Sequence, residues 1–182
     1  MRAVKIAAGG AVIIGLGVAR FTMSLRPKKL ETAKNIDLAR FSGKWFEIAR
    51  KPVTIERKSF KNITTHYSRV DENKFLVEWR YKTLEGQIGQ LAGEATVKDP
   101  KNPSIFKMSY LPEFLHNFRK KSYAIIRIDP DYKVALLGNK RRTHLWLLAR
   151  EPKLDRYLLD DYIAYAEDQG FKLDDVIYVE HA

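Results

Sequence analysis

From residue 41 to residue 150, apolar and polar positions alternate in short runs, broken every ten or so residues by turn-forming clusters. The run Lys74–Lys82 is the plainest. Phe75, Val77, Trp79 and Tyr81 alternate with Leu76, Glu78, Arg80 and Lys82, the period of two that lines one face of a strand. The same reading predicts strands over Phe41–Lys51, Ser59–Val70, Gln87–Lys98, Ser104–Leu111, Lys121–Ile128, Lys133–Leu137 and His144–Arg150. Asp71-Glu72-Asn73, Asp99-Pro100-Lys101-Asn102-Pro103, Asp129-Pro130-Asp131 and Gly138-Asn139 supply turns. Gly93, inside its run, suggests a bulge or sharp bend. After Pro152 the period changes: Leu154, Leu158, Leu159, Tyr162, Ile163 and Ala166 recur at helical spacing, with Gly170 as the stop. Val176–Val179 reads as one more short strand.

Eight strands in meander order, a helix and a ninth strand predict an all-β fold: an eight-stranded antiparallel up-and-down barrel. Closure at eight removes exposed strand edges and leaves room for one small ligand. An outer-membrane barrel would need an apolar outward face, and Glu78, Arg80 and Lys107 on outward positions argue against it. Within the barrel one parity per strand lines the interior. The candidate ligand wall is therefore Phe75, Val77 and Trp79, then Phe106, Met108 and Tyr110, then Tyr123 and Ile125, and on the eighth strand Trp146 and Leu148.

The first 25 residues stand apart. Arg2 and Lys5 precede an apolar run from Ile6 to Ala19, followed by Arg20. Its length suits a signal-peptide core and falls short of the ~20 residues that span a bilayer. Gly17-Val18-Ala19 offers a small-x-small cleavage signature, and an uncleaved anchor running to Leu25 is the competing reading. Residues 1–25 are thus assigned to export or anchoring, 26–40 to a linker and 41–182 to the barrel domain.

Charge changes the picture at the barrel ends. The formal net charge is +11, and more than half of it lies in residues 1–34. Loops after the first, third, fifth and seventh strands share one end, the mouth. They hold Lys51, Arg57, Lys58, Lys82, Arg119, Lys120, Lys121, Lys140, Arg141 and Arg142 against Glu56, Glu85 and Glu113. The opposite end is acidic, with Asp71, Glu72, Asp99, Asp129 and Asp131 against Lys98 and Lys101. The fifth loop adds Phe114, Leu115 and Phe118 before its bases, a pairing suited to a lipid interface. Lys120, Lys121, Arg141 and Arg142 complete this candidate membrane rim.

Other chemistry is sparse. His66, His116, His144 and His181 make no metal-ligand spacing, and no nucleophile elbow or phosphate loop occurs. Asp160-Asp161 and Asp174-Asp175 are adjacent pairs that point to different sides. No catalytic residues, metal or cofactor are expected. Nucleic acid is an unsuitable partner, because the aromatics alternate inward while the bases sit on loops. There is no Cys, which excludes disulfides and thioether lipidation.

At the first strand the residues become familiar. Phe41-Ser42-Gly43-Lys44-Trp45-Phe46-Glu47-Ile48-Ala49-Arg50 resembles the G-x-W signature of the lipocalin family. Asp129 through Leu136 is similar to the family's acidic turn followed by Tyr and a strand, and Trp146–Arg150 to its strand ending in Arg. Gln90–Thr96 is similar to the fourth strand of the branch that holds apolipoprotein D and the bacterial outer-membrane lipocalins. The resemblance implies that Arg150 packs over Trp45 to close the narrow end, making Gly43, Trp45 and Arg150 fold residues. It also implies a cavity-facing Trp146 and a hydrophobic small-molecule partner, a lipid. Bacterial members of the branch usually carry a lipidated Cys after the signal, which this chain lacks. The branch often has Asn where Trp79 stands, so a drier or smaller cup is expected. The function expected is binding and storage or transport of a fatty acid or lysophospholipid in the cell envelope. The rival is a membrane- or protein-binding module that uses the basic rim with no ligand. The sequence leaves the oligomeric state open.

Overall fold

A computed structural model describes residues 29–53, 58–111 and 121–182, with backbone alone for Tyr110, Leu111 and Lys121. The export segment and the rim residues Phe114, Leu115, Phe118 and Lys120 therefore lie outside the described residues. After a four-residue helix, α1 (Leu38–Phe41), come β1 (Gly43–Arg50), β2 (Lys61–Arg69), β3 (Lys74–Lys82) and β4 (Ile88–Val97). Then follow β5 (Ile105–Leu111), β6 (Lys121–Ile128), β7 (Val134–Gly138), β8 (Leu145–Ala149), α2 (Arg156–Asp168) and β9 (Ile177–Tyr178).

Every strand pairs antiparallel with its successor from β2 to β8. β1 then bonds both β8 and β2, so eight strands close on themselves. β9 is added outside this ring, against the end of β1 through Ala49↔Tyr178 and Arg50↔Ile177. Closure and the helix-then-strand ending match the expected architecture.

Alternation divides the apolar side chains into two clusters. One fills the barrel: Ile36, Phe41, Trp45, Tyr67, Phe75 and Phe106 towards one end, Met108, Tyr123, Leu137 and Leu148 higher. The other lies between the wall and α2, from Ile126, Leu136 and Leu147 to Tyr162, Ala166 and Phe171. Asp155 caps α2 by accepting from the N–H groups of Tyr157 and Leu158. The guanidinium of Arg127 lies 4.3 Å from the ring of Tyr162 and bonds Asp161 at 2.7 Å, fixing the helix on the wall.

Two local expectations resolve differently. The register runs without a break through Gly93, opposite Val77 on one side and Tyr110 on the other. The glycine is no bulge. A Cβ there would come within 3.2 Å of the Trp79 ring and 2.7 Å of the Ser109 carbonyl oxygen, so its bareness makes room for the indole. The described part of segment 26–40 packs on the barrel: Leu30 and Ile36 are buried, and the Ala33 N–H donates to the Ile125 carbonyl at 2.9 Å.

Candidate functional site

The lower end of the barrel is closed by α1. Asp37 caps it through the N–H groups of Ala39 and Arg40, which turns Phe41 into the barrel beneath Trp45. The Phe41 ring sits 4.9 Å from Tyr67 and 6.0 Å from Phe106, and the Trp45 indole N–H donates to the Phe41 carbonyl at 2.9 Å. Arg150 covers this floor. Its guanidinium carbon is 3.7 Å from the Trp45 ring centroid. Its N–H groups reach the carbonyls of Arg40, Phe41, Ser42, Lys44 and Tyr132 at 2.6–3.2 Å. Burial lowers the pKa of Arg150, while five carbonyl acceptors favour the cation. Gly43 has φ +97°, a region costly for other residues, and a Cβ would lie 3.3 Å from the Arg150 Nη1.

Above the floor the interior is not filled. A cavity opens among Thr65, Tyr67 and Trp79, Phe106 and Met108, Tyr123 and Leu137, and Trp146 and Leu148. The cavity has a volume of about 40 Å3. One water needs roughly 10–15 Å3. The cavity is a narrow slot, walled mainly by aromatic rings. At its upper edge the Tyr123 ring meets Trp146 edge-on at 4.9 Å, and His144 stacks on Trp146 at 5.9 Å.

The slot brings together six of the proposed wall residues: Trp79, Phe106, Met108, Tyr123, Trp146 and Leu148. Phe75, Val77 and Ile125 point inward but are fully buried in the packed core and do not line the cavity. Tyr110 lies opposite Gly93 by register. Thr65, Tyr67 and Leu137 are wall residues that sequence reasoning did not name. Ile63, Thr65 and Tyr67 alternate on β2, a usable signal blurred by the neighbouring Thr64. Leu137 belongs to Val-Ala-Leu-Leu-Gly, all buried, where no period of two can be read.

One charged pair stands inside the wall. The β1 register shifts between Glu47 and Ala49, so Glu47 pairs with Leu148 and Arg50 with Trp146. Partners in register share a face, which turns both charges inward. They meet at 2.9 Å with no exposure. Such burial is costly unless the charges are paired.

The rim is less uniform than its composition. Arg141 and Lys140 are exposed. Arg142, at φ +60°, instead folds back to donate to the carbonyls of Gln169 and Lys140, tying the β7–β8 turn to the end of α2. Among the described residues no cluster of His, Asp or Glu could hold a metal, and no helix is long and apolar enough to cross a membrane.

Comparison with known proteins agrees with this geometry. The model of the lipocalin-like domain matches residues 36–181. The outer membrane lipoprotein Blc of Vibrio cholerae is 26% identical over 156 residues, 85% of this chain and 88% of the relative. Apolipoprotein D of Bos taurus is 25% identical over 141 residues, 74% of this chain and 69% of its own. The solved structure of insecticyanin from the tobacco hornworm superposes with a TM-score of 0.63 at 15% identity, covering 84% of this chain and 85% of that one. It shares the fold.

Proposed function

The chain belongs to the lipocalin family, whose members bind small hydrophobic ligands, and from that premise we propose that it carries or stores a lipid in the slot. The ligand is a fatty acid or lysophospholipid, the compartment is the cell envelope, and residues 1–25 direct the chain there. No bond is made or broken. The observation that carries this reading is the unfilled slot, apolar and ring-walled, above a sealed floor. Trp79, Phe106, Met108, Tyr123, Trp146 and Leu148 hold the acyl chain, joined by Thr65, Tyr67 and Leu137. Gly43, Trp45 and Arg150 keep the floor shut. The exposed rim base Arg141 faces the anionic membrane from which the lipid comes.

A slot with few polar groups selects by length rather than by shape. Each buried methylene contributes about 0.8 kcal/mol, about fourfold in affinity, until the slot is full. Displacement of a fluorescent probe by saturated fatty acids of increasing length tests this. Affinity should climb about fourfold per methylene and then level off. Affinity that never varies with length would mean adsorption to the surface and would sink the reading.

A further inference from the structure

The most exposed large aliphatic side chains among the described residues lie together at the mouth. Leu84 is 68% exposed and Ile88 82% exposed, both on the hairpin that joins β3 to β4. The turn between them is held tightly. Thr83 N–H donates to the Gln87 carbonyl at 2.8 Å, Gly86 N–H to the Thr83 carbonyl at 3.1 Å, and Gln87 N–H to the Thr83 hydroxyl at 3.2 Å. Gly86 supplies the positive φ, +83°, that closes it. Below the tip, the Tyr81 ring stacks on Phe60 at 3.9 Å and 11°. The tip is therefore a buttressed element, and it keeps two aliphatic side chains in water. That costs free energy unless something covers them.

The surroundings say what covers them. Lys61 pairs in register with Lys82, and Lys82 with Ile88, so two cations and an aliphatic side chain form a row across the outer face of β2, β3 and β4. Like charges directly opposite across strands are unfavourable without an anion nearby. Lys61 has Glu180 for one. Around the mouth Lys58, Lys82, Lys140 and Arg141 are exposed, with Glu85 as the exposed acid on the hairpin itself. Aliphatic side chains at the tip and cations beside them match the layered chemistry of an anionic bilayer, phosphates outside and hydrocarbon beneath.

We propose that the β3–β4 hairpin seats the barrel mouth on an anionic phospholipid surface, Leu84 and Ile88 entering the boundary of the hydrocarbon while Lys82 and its neighbours meet the phosphates. For its purpose this rests on the carrier reading, since docking brings the slot to the source of its lipid. Its test does not.

The absence of cysteine gives a clean probe. A polarity-sensitive dye is attached at Leu84→Cys in the full chain and, as a control, at Val70→Cys, an exposed site (61%) at the opposite end of the barrel. Vesicles contain phosphatidylglycerol and phosphatidylcholine, or phosphatidylcholine alone. The dye at position 84 should shift to the blue on the anionic vesicles, while the dye at position 70 should not. The unlabelled double variant Leu84→Ser, Ile88→Ser should bind anionic vesicles about tenfold more weakly. Because the dye reports its own surroundings, the result is independent of any other segment that tethers the chain. An unshifted dye at 84, whether the protein binds the vesicles or not, overturns the proposal, as does an equal shift at 70. A shift produced by raising the protein concentration alone assigns the surface to a second copy and overturns it too. Fatty-acid binding without hairpin insertion leaves the carrier reading standing. Insertion without fatty-acid binding sinks that reading and keeps this one.

Discussion

The lower and upper halves of the barrel interior are built from the same strands and obey the same alternation, yet one is packed solid and the other keeps a narrow slot. Below, α1 pushes Phe41 against Trp45, Tyr67 and Phe106, and Arg150 seals the layer through five carbonyls. Above, Trp79, Met108, Tyr123 and Trp146 stand around a slot that no element of the described chain fills. What separates the halves is an added segment. Eight strands make an interior just wide enough for side chains to fill or for one small ligand, and here residues 36–41 add Ile36 and Phe41 to the packing of one end only. Stability is concentrated in the floor, and ligand capacity in what is left open.

The largest effect should come from breaking the floor. Trp45→Ala removes a fully buried indole, its hydrogen bond to Phe41 and the platform under Arg150. A cost of about 3–5 kcal/mol is expected, read from urea unfolding. A cost below about 1 kcal/mol would mean that the floor is no keystone. The opposite experiment fills the slot. Met108→Trp places a larger ring in the cavity and should weaken fatty-acid binding about tenfold or more, while stability changes by less than about 2 kcal/mol. If instead it destabilises as much as Trp45→Ala, the upper half has no spare space and the contrast between the halves fails.

The same contrast explains what could be read from the sequence. Strand number, order and the inward parity were legible because Phe75, Val77, Trp79 and Tyr81 alternate cleanly, and because each turn is marked by Pro, Gly, Asn or Asp. Parity states which face a side chain takes but carries no information on depth. Phe75 and Trp79 have the same parity, and only the packing of Tyr67 and Phe106 against Phe75 decides that it belongs to the floor. Glu47 and Arg50 were hidden for another reason. Three apart, they would take opposite faces of a regular strand, and the register shift at Ala49 turns both inward. Arg142 looked like a free rim cation because its partner, the Gln169 carbonyl, is a backbone group twenty-seven residues away. The exposed Leu84 and Ile88 could be seen in the sequence but resembled ordinary hairpin residues until their exposure was known.

The smallest expected effect asks whether the outer layer bears on either half. Tyr162 is buried on the inner face of α2, and its hydroxyl donates to the Val134 carbonyl at 3.3 Å. Burial pushes its pKa from 10.0 up to about 12, against the opposing pull of the Arg127 cation. In the unfolded chain the phenol ionises first. Below pH 10 the buried neutral ring therefore contributes its full stability, and the contribution is lost as pH rises from 10 through about 12. Tyr162→Phe removes the titrating group and a long hydrogen bond, so it should cost about 1 kcal/mol or less at neutral pH and abolish this one part of the alkaline decline. The difference between the two unfolding curves isolates Tyr162 from the other tyrosines. Fatty-acid affinity should stay the same, because Val134 and Leu136 meet the helix on the outer face of β7 while Leu137 meets the slot on the inner one. A matching loss of affinity would show that the wall transmits strain inward, and the floor alone could then no longer be credited with holding the slot open.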